Sequence, residues 1–419
     1  MQTTVKTTLS PQQTNTFAFT FSATLILCLA QPRMLSFLPE IVALVCGAFY
    51  FVAKTRLPPC DRPLALFIAA FFILTAVSAL WSPDPSYAFS KVARTAALVF
   101  FGYVLVLLAQ TMTADGMHKK QLFYSLAAGH VFFGLLFFIE YTFHYPVMRF
   151  MMANIFHAPA PLSIENAFLF NRSSVFLVLY TAPLLYMLRG LDFPHGQKIF
   201  FSLLPIFSLL LALLNSESQT AQITAAVMAI MYAFPGHRKK ARLFFTGILA
   251  AGFLVMPLLP IPAYDYLIRN NLAEKADGFV MKASIPQRLE VWSFAAREIF
   301  KKPFFGHGVE ATRALKSEKI MPYFHTDHVL HPHNFALQIW IETGLVGILL
   351  ATVFFFFLIR RMDDVPPATQ KFYMVLFAGI LSVLAMGYGM WQAWQVGMIM
   401  AITAFAIMAT KFCEPVSRA

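Results

Sequence analysis

Long apolar runs separated by short polar breaks set the organisation of this chain. Runs long enough to cross a bilayer fall at about 16–31, 34–53, 64–81, 88–109, 122–143, 167–188, 198–214, 219–234, 243–262, 335–359, 372–390 and 393–410. The pattern predicts an all-α polytopic membrane protein of about 12 transmembrane helices. Only one break is long, from about 263 to 333, and long loops are often functional. Within it Arg288, Trp292, Ala295, Ala296, Ile299 and Phe300 recur at three- and four-residue intervals, which predicts a helix. Pro303, Gly306 and Gly308 then break the periodicity, and a second short helix is expected over 309–319. The chain thus divides into nine spans (1–262), a partly helical loop (263–333), and the last three spans with a tail (334–419).

Composition sharpens this picture. Of the 419 residues 58% are hydrophobic and 12% charged, and the mean hydropathy is +0.65. A soluble protein carries about 25% charge, so one or more soluble cores are excluded. The net charge of +12 could suggest nucleic acid, but its distribution says otherwise. Lys54, Arg56 and Arg62, Lys119 and Lys120, Arg189 and Lys198, Arg238 to Arg242, and Arg360, Arg361 and Lys371 all occupy alternate breaks. The intervening breaks at 82–87 and 215–218 carry no Lys or Arg, and 144–166 carries only Arg149. This bias predicts that the basic side and both termini are cytoplasmic. Fifteen polar residues precede the first apolar run, so no cleavable signal is expected. Four cysteines in or beside the runs show neither disulfide nor zinc spacing.

Candidate chemistry gathers where the long loop meets the tenth run, at His333-Asn334. Asn334 suits a helix N-cap. On a continuous helix, Gly344 lies within about 20° of His333 and Gly347 within about 40°. That predicts a side-chain-free stripe for a neighbouring helix to pack against. Ionisable residues inside spans are functional candidates by default: Lys91, Arg94, Arg172 and Glu342 all lie at the level of the loop. Snorkelling to the interface is the plain reading of Lys91. Glu342 points away from His333 on that wheel, and pairing with Arg94 is expected. Arg172 has nothing nearby in sequence to neutralise it. Cations beside a histidine suit an anionic, lipid-carried substrate, since guanidinium forks bind phosphate oxygens. The run His325, His328, His331, His333 fits no usual zinc pattern. No phosphate loop, nucleophile elbow or HExxH motif is present.

Several short motifs, in this order, resemble the O-antigen ligase/polymerase superfamily of bacterial inner-membrane glycan transferases. They are Trp81-Ser82-Pro83-Asp84-Pro85, then Arg288…Trp292…Pro303…Gly306-x-Gly308, then His333-Asn334…Gly344…Gly347, and last Gly389-Met390-Trp391-Gln392-Ala393-Trp394. The resemblance implies metal-independent, inverting transfer of a glycan from undecaprenyl diphosphate to an acceptor hydroxyl at the periplasmic face, with no cofactor. It implies His333 as general base or acceptor-positioning residue, and Arg172 and Arg288 on the diphosphate. Many relatives carry a Ser-Arg pair where this chain has Ser216-Glu217-Ser218-Gln219; Lys91 or Arg94 is the expected substitute. His331 and Asn334 complete the expected substrate-binding set.

A ligase that uses lipid A–core as acceptor is favoured by the single long loop and by the Trp391/Trp394 pair. A polymerase would use the same chemistry on the lipid-linked repeat. A lipid-linked glycan transporter should show paired half-sequences or broken helices in matching positions, and none is visible.

Overall fold

The computed structural model describes residues 9–52, 60–114, 117–154, 168–214, 216–272 and 284–414. The basic positions Lys54 and Arg56, and loop residues 273–283, lie outside these. Each of the twelve apolar runs is a helix. In chain order these are α1 (Pro11–Ala30), α2 (Leu38–Val52), α3 (Arg62–Ala79), α4 (Pro85–Gln110), α5 (Lys119–Thr142), α7 (Phe168–Met187), α8 (His195–Leu214), α9 (Gln219–Ala233), α10 (Lys239–Val255), α13 (Phe335–Arg361), α14 (Pro367–Met386) and α15 (Ala393–Phe412). Outside the twelve runs lie α6 (Pro146–Asn154), α11 (Pro260–Arg269) and α12 (Ile285–Lys301). Among the described residues ten segments are long and apolar enough to cross a membrane. The other two of the twelve, α2 and α9, are 15 residues each, about 22 Å at the helical rise.

Helix starts follow from capping. The side chains of Asp61, Asp84, Ser218 and Asn334 accept bonds from the first turns of α3, α4, α9 and α13, where backbone N–H groups have no intrahelical acceptor. The largest apolar cluster joins α1, α4, α5, α7, α9, α14 and α15. A second joins α10, α12 and α13. A third, of Ala79, Ala88, Val92, Val309 and Trp391, ties the α3–α4 turn to the long loop.

At one end of the bundle the basic residues find acids: Arg242 pairs with Asp363, and Arg361 with Asp61. The opposite end carries the 306–333 loop and the α14–α15 turn, as the alternation of basic breaks predicts.

The loop holds one predicted element and lacks another. The periodic stretch is α12, with Ala295, Ala296 and Ile299 buried and Phe300 exposed. Over 309–319 the only helical piece is a single 3-10 turn, Ala311–Arg313. Glu310 precedes it in the left-handed region at φ 59°, a conformation costly for a non-glycine residue, and Lys316 bridges back to His328.

The Gly344/Gly347 stripe is also corrected. Residues 335–361 are not one continuous helix: Gly344 has φ 62° and ψ −155°, a region open only to glycine. The 303–308 turn enters this break. Leu345 N–H donates to the Pro303 carbonyl at 2.8 Å and Val346 N–H to Phe304 at 3.3 Å, while His307 and Gly308 donate to the carbonyls of Ile341 and Glu342 at 2.7 and 3.0 Å. Broken backbone at membrane depth is tolerated only where protein satisfies it, and this turn does so on both sides. A Cβ on Gly344 would strike the Phe304 carbonyl, and one on Gly306 the Glu342 backbone. Gly347 lies beneath Thr343 of its own helix rather than a neighbour. The glycines admit a turn, not a helix.

Candidate active site

His333 stands between the loop and the Asn334 cap, whose Oδ1 accepts from Leu337 N–H at 3.1 Å. Its own backbone is left-handed, at φ 54°. Pro332 before it is buried and fixed in turn, because the Trp292 indole donates to the Pro332 carbonyl at 2.8 Å. The His333 Nδ1 lies 2.8 Å from the carbonyl of Gly387. A carbonyl only accepts, so Nδ1 carries the proton and Nε2 keeps its lone pair. Arg288, from α12, donates to the carbonyl of Met386, the residue before Gly387. Two consecutive carbonyls at the end of α14 therefore hold the imidazole and the guanidinium side by side.

Tyr388 follows. The Arg172 guanidinium lies 5.7 Å from the Tyr388 ring centre and 5.1 Å from that of Trp394, whose rings meet edge to face at 4.7 Å. Burial raises the Tyr388 phenol above its ordinary value, opposed by Arg172, which it hydrogen-bonds, and by the charge of Arg288. One phenol thus lies within electrostatic reach of both arginines. Arg172 is fixed from its own helix as well, since the Asn171 carbonyl accepts from Ser218 Oγ at 3.3 Å. Ser218 belongs to the Ser216-Glu217-Ser218-Gln219 segment, where the resemblance implies an arginine and this chain has none. Arg33, exposed between α1 and α2, is close enough for its charge to act on Arg172.

His331 packs edge-on against His333, with ring centres 4.2 Å apart. Its ring covers Gly389, where a Cβ would meet it at 2.7 Å. The Gln392 amide is 3.2 Å from His331 Nε2, and Gln392 in turn accepts from the Trp394 indole at 2.7 Å. Burial, with the charges of His333 and Arg313 in support, lowers His331 to about 3. It is a neutral neighbour, not a second base.

Lys91 and Arg94 do not join this group. Lys91 lies over the Tyr87 ring at 5.1 Å, and Arg94 is exposed on α4. The expected pairing of Glu342 with Arg94 is absent. The buried Glu342 carboxylate instead accepts from Gln338 at 2.8 Å and from the Trp391 indole at 2.7 Å. Trp391, reaching in from the α14–α15 turn, takes the place expected of the arginine. Leaving such a buried donor unpaired costs about 1–3 kcal/mol, so Glu342 anchors that turn. Among the described residues no three His, Cys, Asp or Glu side chains are grouped to hold a metal.

Comparison with known proteins bears on the family rather than on the roles of these residues. A family model described as "O-Antigen ligase" matches residues 204–352, the span that contains Arg288, His333 and Gly344. A Rickettsia typhi protein named "Putative polysaccharide ligase" is 26% identical over 363 residues, 83% of this chain and 78% of its own. A Rickettsia prowazekii protein of the same description is 25% identical over 319 residues, 72% of this chain and 71% of its own. Over residues 204–352 the chain is thus similar to the O-antigen ligase family, and over most of its length to proteins named putative polysaccharide ligases. The relatives' names and the ten helices long and apolar enough to cross a membrane point to a membrane-bound, glycan-transferring enzyme.

The superfamily match leaves Arg172 and the whole 386–394 turn outside its limits, yet this turn supplies most of the site's partners. Tyr388 and Arg313 were missed in the sequence because nothing local marks them. Gly389 offered a signal, since a glycine opposite a histidine motif can denote a ring packed on backbone.

The electrostatics of His333 carry a pH prediction. Burial lowers its pKa from 6.5, the Gly387 hydrogen bond opposes that, and the Arg288 charge lowers it further. A lowered histidine stays unprotonated as pH falls, so the base form persists below 6.5. The acid limb of kcat/KM, which reports the free enzyme, is expected below pH 6.5. A limb at or above that value would show that another group titrates.

Proposed function

We propose that this protein is an O-antigen ligase, transferring a glycan from undecaprenyl diphosphate to a sugar hydroxyl of lipid A–core with inversion and without a metal. The basic end of the bundle is cytoplasmic, both termini with it, and the site faces the periplasm of the bacterial inner membrane. The observation that carries this reading is the His333–Gly387 hydrogen bond with Arg288 on the adjoining carbonyl. It leaves Nε2 open to a hydroxyl beside a cationic pole.

In the reaction, Nε2 of His333 takes the proton of the acceptor hydroxyl as its oxygen bonds to the anomeric carbon. The anomeric C–O bond to the diphosphate breaks, and the electron pair leaves with the diphosphate. Arg288 and Arg172 lie where that charge develops, and such preorganised donors are often the largest catalytic term. The diphosphate is already a good leaving group, so orientation, one base and charge stabilisation suffice.

The test is purified protein with lipid-linked O-polysaccharide and lipid A–core, with and without chelator. Extension of lipid A–core in both samples is expected. Extension of the lipid-linked glycan alone would make the protein a polymerase. Transfer to neither, or loss with chelator, would sink the reading.

A further inference from the structure

A second polar cavity lies at the same end of the bundle, outside the His333–Arg288–Arg172 group. It is a cleft of about 320 Å³ lined by Ser82, Asp84, Tyr87, Glu310 and Arg313, at the lower end of the ~300–1,000 Å³ typical of small-molecule pockets. Its two walls are locked together. Ser82 Oγ donates to the Val309 carbonyl at 2.8 Å, and a Cβ on Gly308 would strike the Ser82 backbone at 2.6 Å. The Tyr87 ring carries two cations, Lys91 and Arg313, each 5.1 Å from its centre. Arg313 also pairs with the buried Glu310. A left-handed backbone holds Glu310 in this wall, and such strain clusters at ligand sites.

The cleft lies near the histidines, since the charge of its Arg313 reaches His331. Thr312 Oγ1 donates to the Leu330 carbonyl at 3.0 Å, which fixes the Arg313 turn against the residue before His331. Trp391 packs on Val309 and Ala88 behind it and belongs to the same turn that holds His333. The histidine pair therefore has two polar neighbours. Arg288 and Arg172 form one, suited to a diphosphate. The other mixes two carboxylates, one lining cation, a serine hydroxyl and an aromatic ring, with Lys91 over that ring. Such a set binds not a bare polyanion but a ring bearing hydroxyls, with acids accepting from them, cations donating, and Tyr87 offering an apolar face.

The rim tells where that ring comes from. Leu80, Trp81, Phe304 and Phe305 are all exposed around the α3–α4 turn and the 303–305 turn. Exposed aromatics at this level fit the headgroup belt of a bilayer.

We propose that this cleft seats a sugar ring of the membrane-anchored acceptor glycan, holding its hydroxyl toward His333. This rests on the glycan-transfer reading above. Lys91, isolated from the diphosphate group, then acts on the acceptor and not on the donor.

The experiment is steady-state transfer by the full chain in detergent, using lipid-linked O-polysaccharide and lipid A–core isolated from a rough strain. Tyr87→Ala and Arg313→Gln should each raise the lipid A–core KM about tenfold, the size of one lost binding contact, with the donor KM unchanged. Tyr87→Phe, which keeps the ring face, should raise the acceptor KM less than Tyr87→Ala does, and an unchanged donor KM in both variants shows that they fold. Soluble core oligosaccharide should compete with lipid A–core in wild type and lose that competition in Tyr87→Ala. An unchanged acceptor KM, or equal rises in acceptor and donor KM, overturns the cleft assignment while wild-type transfer still stands. If wild type itself transfers nothing to lipid A–core, the functional reading falls first and the cleft assignment with it.

Discussion

Replacing His333 with alanine is expected to lower the rate of glycan transfer about 10²–10⁴-fold, the usual contribution of a general base. Binding of the lipid-linked donor should survive, because the arginines remain. His331→Ala should lose less, since that ring is neutral and acts by packing against His333 and Gly389. His328→Ala should lose least. His328 is exposed and bonded to Asp327 and Thr326, away from the Gly387 carbonyl. Transfer rates at matched expression, with donor retention on the purified variants, decide the matter. Near-normal turnover by His333→Ala would remove the base assignment.

The second large effect belongs to Arg288. Arg288→Ala should cost about 10²–10³-fold in kcat, comparable to losing one preorganised donor to a developing charge. Arg288→Lys should restore only part of that, because an ammonium lacks the planar fork. A further readout separates electrostatics from mere packing. The Arg288 charge helps lower the His333 pKa, so removing it must move the acid limb of kcat/KM upward. Full activity in Arg288→Lys, or an unmoved acid limb in Arg288→Ala, would count against the role assigned here.

What the sequence made legible follows periodicity and local chemistry. The twelve apolar runs became helices because length and apolarity alone decide them. The Asn334 cap and α12 were readable for the same reason: a cap needs one side chain, and an amphipathic helix needs one period. The stripe through Gly344 failed because a helical wheel assumes an unbroken helix. The residue that looked like a packing surface was a backbone requirement imposed by a turn 40 residues upstream in sequence. Glu342 failed for a related reason, since its partner Trp391 arrives from another turn altogether. Charge in a neighbouring span suggested Arg94, but sequence does not say which side of α4 faces inward. Tyr388 and Arg313 gain their meaning only from what the fold sets beside them.

The α14–α15 turn has a consequence for the order in which this enzyme comes into being. His333, its cap and the loop helix are all synthesised before Met386, Gly387 and Tyr388 emerge. Until that final hairpin is threaded into the bilayer, the His333 imidazole has no carbonyl to fix its tautomer, Arg288 has no anchor and Glu342 has no indole. A chain stalled after its tenth span would carry every residue of the histidine motif without the contacts that hold them. Assembly of the site is thereby tied to completed insertion of the last hairpin.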